Sequence, residues 1–221
     1  MLSDVEKRLV PCLEPYDNCY CYLNRVNGDY TASTTNQRIA NFKHPLDRFH
    51  DRPDVLRHKW REVDRFSVEL AQHAMSVYGE AARVLDIALV PVNTSRPPSD
   101  PYHDPRLVML CEKAAAMTGG LIRAVDVMHS REQVLGSHAG GPRAVGFLRS
   151  NLLFDGFGEH VPTVVVLVDD VLTTGAHYAA CRDAIIESYG FEREVYVEGA
   201  FLCIHRSRTI DYEANGIEVT W

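Results

Sequence analysis

The stretch Val164–Arg182, VVVLVDDVLTTGAHYAACR, decides the fold of this chain. It opens with five apolar residues, Val164–Val168, four of them valine, a composition typical of a strand buried on both faces. It continues into a helix-compatible segment with alanine and isoleucine at the apolar positions and Gly190 as a stop. A strand, a tight turn and a helix in this order indicate one unit of a parallel α/β sheet.

Two carboxylates, Asp169 and Asp170, and a turn, Thr173–Ala176, lie between this strand and this helix. A turn that opens a helix directs backbone N–H groups and the positive end of the helix dipole at one point, which favours a phosphate. Gly175 lets the backbone approach such a ligand, and the two threonines add hydroxyl donors. The carboxylates would repel a phosphate, so they require a hydroxyl-rich neutral group or a metal. A sugar phosphate meets both requirements.

The segment Val165–Ala176 resembles the signature of type I phosphoribosyltransferases, which bind 5-phosphoribosyl-1-pyrophosphate (PRPP). The resemblance implies that Asp169 and Asp170 contact the ribose 2′ and 3′ hydroxyls. It assigns the 5′-phosphate to Thr173, Thr174, Gly175, Ala176 and His177. The run DDVLTTGA is most similar to the competence-associated (ComF-like) branch, which usually has threonine at the position of His177. The alternative interpretation is a strand–turn–helix unit that binds no ligand.

Length and charge restrict the function of the chain further. Its 221 residues, 46% of them hydrophobic, are enough for one domain with embellishments. A net charge of −7 argues against general nucleic-acid or membrane-surface binding. We find no signal peptide and no apolar run of about 20 residues, so we expect a cytoplasmic protein. The six cysteines form no Cys-x-x-Cys pair, so we expect no zinc ribbon and reduced thiols.

The first 53 residues are predicted to form an appendage to a domain spanning 54–221. Asn18–Val26 is predicted to be a strand, Asn27-Gly28 a type I′ turn, and Asp29–Ala32 the returning strand of a β-hairpin. In phosphoribosyltransferases a variable hood built from terminal segments covers the acceptor. This region is predicted to be either that hood or a dimer or partner surface.

The second region predicted to bind ligand follows the first strand of the main domain. Asp54–Tyr78 carries a helical apolar stripe, and Arg83–Val92 is predicted to be the next strand. Ligands gather beyond the carboxyl ends of strands in open α/β sheets. The resemblance therefore places pyrophosphate at Thr94, Ser95 and Arg96. The alternative is an ordinary proline-rich surface loop.

A glycine-rich segment between the middle strands is predicted to be a lid. Asp104–Met117 is predicted to be a helix, and Leu121–Val127 a strand. The family's flexible lid over PRPP matches the position of 128–149, where Ser137, His138 and Arg143 offer groups for pyrophosphate or base. The alternative is an inert loop. Glu194–Ile204 is predicted to be the last core strand, and the basic residues 205–208 either face an anionic ligand or are a solvated strand end.

Together these patterns predict an α/β protein of the phosphoribosyltransferase type I fold, a mainly parallel sheet flanked by helices with an N-terminal β-hairpin appendage. The resemblance implies a phosphoribosyltransferase that binds Mg²⁺-PRPP and transfers the phosphoribosyl group to a nitrogenous acceptor with release of pyrophosphate. Asp169, Asp170 and Arg143 are the predicted catalytic residues, and Mg²⁺ is held mainly by substrate oxygens. The alternative is a non-catalytic protein of the same fold that senses PRPP or a nucleotide. We expect a homodimer.

Overall fold

The computed structural model describes residues 1–2, 4–8, 10–92, 95–133, 144–189 and 194–205. Five strands form its central sheet: Asn18–Arg25 (β1), Ile87–Pro91 (β2), Arg123–Ala124 (β3), Val164–Leu172 (β6) and Tyr196–His205 (β7). Their order is β1-β7-β6-β2-β3, and every neighbouring pair is parallel. A separate antiparallel pair joins Met128–Ser130 (β4) to Leu152–Phe154 (β5).

Helices cover both faces of this sheet. They are Asp4–Arg8 (α1), Thr34–Phe42 (α2), Leu46–Phe49 (α3), Pro53–Tyr78 (α4), Arg106–Met117 (α5), Val145–Asn151 (α6) and Ala176–Tyr189 (α7). One apolar cluster joins α2, α4 and α5 to one face, and another joins α7 and the β4–β5 pair to the other. The predicted α/β class, a mainly parallel sheet flanked by helices, is confirmed. Among the helices described here, none is long and apolar enough to cross a membrane.

The central strand β6 is buried on both faces, as its valines predict. Val166 and Val168 pack into the α2–α4–α5 cluster, whereas Val165 and Leu167 pack into the α7 cluster. Full burial of such a side chain contributes roughly 1.5–3 kcal/mol. The strand does not end at Val168 but continues through both carboxylates to Leu172. Its alternation therefore decides which way each carboxylate points.

The long helix α4 confirms its predicted span to within one residue. Its buried stripe includes Val63, Phe66 and Leu70, which are fully excluded from solvent. Phe66 packs edge-to-face on Phe42 of α2, with ring centroids 5.5 Å apart. This contact fixes α2 over the sheet, and the position of Lys43 at the end of α2 follows from it.

The predicted N-terminal β-hairpin is wrong. β1 pairs in parallel with β7, from Asn18 opposite Glu198 to Arg25 opposite His205, and residues 29–32 form a turn. The Asn36 side chain accepts from Val26 N–H (3.2 Å) and donates to the Val26 carbonyl (3.1 Å), so the Asn-Gly turn leads into α2. The N-terminal region supplies an edge strand of the central sheet. The domain boundary at residue 53 stays a prediction.

The other predicted elements exist with shorter bounds. The predicted strand 121–127 reduces to Arg123–Ala124, and the β4–β5 pair was not predicted. The core of the predicted lid, with Ser137, His138 and Arg143, lies outside the described residues, as do Thr94 and the tail after His205.

Candidate functional site

The turn after β6 lies at the edge of the sheet where the carboxyl ends of all five strands meet. Gly175 has a φ of +76°, a conformation that residues with a Cβ rarely adopt. A Cβ there would also lie 3.2 Å from both Val10 Cγ1 and Leu13 Cδ2. Glycine is therefore favoured by the backbone conformation, and a Cβ would also require the segment packed behind the turn to shift slightly.

The start of α7 offers backbone donors to a ligand. Ala179 N–H donates to the Gly175 carbonyl (2.9 Å), so the N–H groups before it have no helical acceptor. Ala176 N–H makes a long bond of 3.4 Å to Thr174 Oγ1. Thr173 is exposed at the tip of the turn. Free N–H groups, a hydroxyl and the positive end of a 14-residue helix together favour an anion here.

The N-terminal segment fixes the turn from behind. Cys12 N–H donates to the Thr174 carbonyl (2.9 Å). Further along the segment, Asp17 accepts from Arg182 Nη1 (2.5 Å) and from the Tyr178 hydroxyl (3.1 Å), both on α7. All three of these side chains are buried. The segment thus holds both the turn and its helix in one orientation, which pre-organises the donors.

Asp169 faces a pocket together with the turn. The pocket is lined by Leu148, Asp169, Val171, Leu172, Thr173, Thr174, Gly175, Ala176, His177, Tyr178 and Phe201. Burial raises the pKa of Asp169, and the neighbouring Asp170 raises it further, whereas His177 and Lys43 lower it. Asp169 Oδ1 accepts the Asp170 N–H (2.7 Å). Within the described residues no cationic side chain is paired with Asp169, so its carboxylate can accept hydrogen bonds from a ligand.

Asp170 points to the opposite face and is occupied by the protein itself. Its Oδ1 accepts from Lys43 Nζ (2.8 Å), and its Oδ2 accepts from Arg106 Nη2 (2.7 Å). The residue is only 5% exposed. Burial acts to raise the pKa of Asp170, but Lys43 and Arg106 outweigh it and hold that pKa well below its usual range.

A chain of ion pairs extends from Asp170 into the interior. Arg106 Nη1 also donates to Asp104 (2.5 Å), which accepts from Lys59 Nζ (2.7 Å) as well. Lys59 is fully buried, and it donates further to the carbonyls of Phe42 and His44. Burial lowers the pKa of Lys59 to about 8, although Asp104 acts to raise it. The network holds three cations and two carboxylates.

The predicted pyrophosphate loop brings Arg96 to the same edge of the sheet, but its guanidinium is already paired. Nη2 donates to Asp47 (2.7 Å) and Nη1 to Asp100 (2.9 Å). Ser95 is exposed beside it. The two carboxylates therefore offset the charge that Arg96 could offer to an incoming pyrophosphate. The remaining predicted ligands, Thr94 and Arg143, lie outside the described residues.

Lys43 and Arg106 were missed in the sequence analysis. Lys43 lies directly after α2, and Arg106 follows the Asp104-Pro105 pair that predicts a helix start. Asp104 Oδ1 does accept from Arg106 N–H at the start of α5 (3.2 Å), but its other oxygen binds cations. No local pattern marks residues 43 and 106 as partners of residue 170.

Comparison with known proteins gives a likeness of structure. No family model matches the sequence, and no curated protein matches it. The chain is similar to adenine phosphoribosyltransferase from Saccharomyces cerevisiae, solved in complex with D-2,5-dideoxy-2,5-imino-altritol 1,6-bisphosphate and adenine. The TM-score is 0.38 at 16% identity, over 66% of this chain and 68% of that chain.

Proposed function

We propose that this chain is a phosphoribosyltransferase of type I fold. It binds magnesium–PRPP at the carboxyl end of β6 and transfers the phosphoribosyl group to a nitrogenous acceptor, releasing pyrophosphate. The observation that supports the proposal is that one pocket is lined both by the turn at Thr173–His177, which opens a helix, and by Asp169, a carboxylate with no cationic side-chain partner among the described residues. A phosphate and a set of hydroxyls on one molecule match these two features, and a sugar phosphate carries both.

In this proposal each residue acts according to its surroundings. The N–H groups and hydroxyls of Thr173–His177 bind the 5′-phosphate. Asp169 accepts from the ribose hydroxyls and stabilises the positive charge that develops at the anomeric carbon as pyrophosphate leaves. Asp170, held by Lys43 and Arg106, is a positioning residue that fixes the strand end carrying Asp169. Its carboxylate contributes no free charge to the ligand.

The side chains of the described residues are compatible with a magnesium ion that enters the site bound to the substrate. Mg²⁺ prefers oxygen ligands and is usually bound through one or two carboxylates plus substrate phosphates. Within the described ranges no cluster of three or more His, Cys, Asp or Glu side chains is placed to hold a metal. Asp169 remains a carboxylate with no cationic side-chain partner among them. When bound, Mg²⁺ would offset charge on the departing pyrophosphate.

Calorimetry with Mg²⁺-PRPP tests the proposal directly. We expect the unmodified protein to bind and Asp169→Asn to weaken binding at least 30-fold. Asp86→Asn is the matched control, because this carboxylate lies before β2, at the end of the strands away from the turn, and pairs with the half-buried Arg123. Its affinity should equal that of the unmodified protein. No binding at millimolar PRPP, or equal binding by Asp169→Asn, would overturn the proposal.

A non-catalytic sensor of PRPP is the second candidate, and the pairing of Arg96 favours it. With both Asp47 and Asp100 on its guanidinium, this arginine does not offer the free charge that a departing pyrophosphate requires. Pyrophosphate release during incubation with PRPP and a panel of nitrogenous acceptors separates the two. Release supports the transferase; tight binding without release supports the sensor. The ComF-like branch, the homodimer and the cytoplasmic location stay predictions.

A further inference from the structure

His177 is the second residue of α7, and its side chain lies in the pocket that contains Asp169. Thr173 and Thr174 line the same pocket from the turn. The imidazole is half-buried, and no group among the described residues forms a hydrogen bond with it. Either ring nitrogen of a histidine can donate a hydrogen bond when the ring is protonated. The side chain is therefore available to a ligand that the turn holds.

Two electrostatic influences of opposite sign act on this imidazole. The positive end of α7 disfavours a cation in the first turn of the helix. The Asp169 carboxylate favours one, and the two side chains are close enough to interact. Burial, and then Asp170, raise the pKa of Asp169, whereas His177 and Lys43 lower it. A phosphate bound by the turn would add up to two negative charges and so favour the protonated imidazole.

Other titratable groups around the turn are neutral or already paired. The Tyr178 hydroxyl lines the pocket but donates to a buried carboxylate of the N-terminal segment (3.1 Å), and burial raises its pKa. Burial also raises the pKa of Cys12, behind the turn. On α6, Arg149 donates to Glu187 (2.7 Å). Within the described part of the chain, the imidazole and the Asp169 carboxylate are the groups left to respond to a ligand.

We propose that His177 binds the 5′-phosphate of PRPP through its protonated imidazole, so that ligand binding is coupled to proton uptake. This inference rests on the proposed function and adds a side-chain charge to the N–H groups and hydroxyls of the turn. A hydrogen bond from an imidazolium to a phosphate oxygen is charge-assisted, and such bonds are roughly twice as strong as neutral ones. Because imidazole loses its proton as pH rises through neutrality, the affinity for PRPP should fall from pH 6 to pH 8.

Calorimetry with Mg²⁺-PRPP in two buffers of different ionisation enthalpy counts the protons taken up on binding. At pH 7 the unmodified protein should take up about 0.3 proton or more in excess of His177→Thr, since an ordinary imidazole titrates near pH 6.5. From pH 6 to pH 8 its affinity should fall about fivefold more than that of the variant. Both proteins bind the same ligand, so the comparison removes the ionisation of the phosphate itself, whose second pKa is about 6.

Two further variants complete the experiment. His177→Asn keeps a neutral donor and should behave like His177→Thr, which keeps the backbone N–H and adds a hydroxyl. His160→Thr is the matched control, because this histidine is exposed and precedes β6 at the end of the strand away from the turn. It should take up as many protons as the unmodified protein and show the same dependence of affinity on pH.

The inference is overturned if both His177 variants take up as many protons as the unmodified protein, or if their affinities change with pH in parallel with it. Should both variants lose binding altogether, the unmodified protein decides: net uptake of protons supports the inference, and net release contradicts it. Failure of the unmodified protein to bind PRPP is a separate result. It would overturn the proposed function and, with it, this inference.

Discussion

Asp169 and Asp170 are neighbours in sequence and opposites in environment. Asp170 is held by two cations on the α2–α5 side of the sheet, and its pKa is lowered. Asp169 faces the turn on the α7 side with no cationic partner among the residues that the structure describes, and its pKa is raised. A compensated carboxylate stabilises the fold, whereas an uncompensated one costs stability. In the proposed function, this difference assigns a structural role to Asp170 and ligand contact to Asp169.

The largest expected effect is on stability, at Asp170. Asp170→Ala leaves Arg106 and Lys43 without their shared carboxylate, and loss of one partner of a buried pair typically costs about 3–5 kcal/mol. Asp169→Ala should change the free energy of unfolding by less than about 1 kcal/mol, because the carboxylate that it removes has no cationic partner within the described ranges. Urea unfolding of both variants measures the contrast. Equal destabilisation by the two substitutions would contradict the division between them.

The next effect concerns the backbone on the Asp169 side. Gly175→Ala forces a Cβ onto a residue at φ +76° and against Val10 and Leu13, so we expect a loss of about 1–2 kcal/mol. Gly146→Ala is the matched control, since that glycine lies in α6 with no heavy atom within 4 Å of the added Cβ. The control should be neutral or stabilising by up to about 1 kcal/mol.

If the Gly175 variant unfolds at the same urea concentration as the Gly146 variant, the turn is not fixed by the N-terminal segment. If it is destabilised as expected but still binds PRPP with unchanged affinity, the turn does not enclose the phosphate. The two measurements separate the structural part of this glycine's role from its part in ligand binding.

Local sequence patterns predicted the middle of this fold and failed where distant residues pair. The run of valines in β6 and the helical spacing of apolar residues in α4 can be recognised from neighbouring residues alone, and both elements were confirmed. The Asn27-Gly28 turn is an equally strong local signal, but the partner of β1 is β7, about 180 residues further along the chain. Predicting a hairpin from an Asn-Gly turn considers only adjacent segments, so it cannot identify a parallel partner that lies far away in the sequence.

The same limit applies to the candidate site. The run DDVLTTGA locates the turn because its glycine and threonines have local reasons to be there. It does not separate the two carboxylates, since the sequence does not state that β6 continues to Leu172 and so alternates through them. Lys43 and Arg106 were missed for the related reason that their partner is 64 residues or more away in the chain.

A further comparison on the Asp170 side distinguishes the two cations that hold this carboxylate. The Lys43 side chain is 32% exposed, whereas that of Arg106 is 14% exposed and also binds Asp104. Lys43→Met leaves Asp170 paired with Arg106, so we expect a loss of about 1 kcal/mol in urea unfolding. Arg106→Met leaves two carboxylates short of a partner and should cost about 3 kcal/mol. Similar losses from both would show that Asp170 depends on the two equally.

The smallest effect is the pH dependence of stability, and its sign differs between the two carboxylates. A carboxylate with a raised pKa keeps its proton to higher pH in the folded state than in the unfolded state. It therefore lowers the stability of the fold once the pH rises above the pKa of the unfolded chain, about 3.9. Asp169→Asn should therefore gain stability relative to the unmodified protein between pH 4 and pH 7, by less than about 1 kcal/mol.

For Asp170 the lowered pKa gives the reverse. Its contribution is fully present above about pH 4 and is lost as pH falls towards its folded pKa. The difference in free energy of unfolding between the unmodified protein and Asp170→Asn should thus be constant from pH 5 to pH 7 and shrink below pH 4. Urea unfolding at matched ionic strength measures the free energy of unfolding of each variant relative to the unmodified protein. Taking these differences removes the contributions of the carboxylates that all three proteins share. If the two stability differences changed with pH in the same direction, Asp169 and Asp170 would have similar environments. Their placement on opposite faces of β6 would then not control their ionisation.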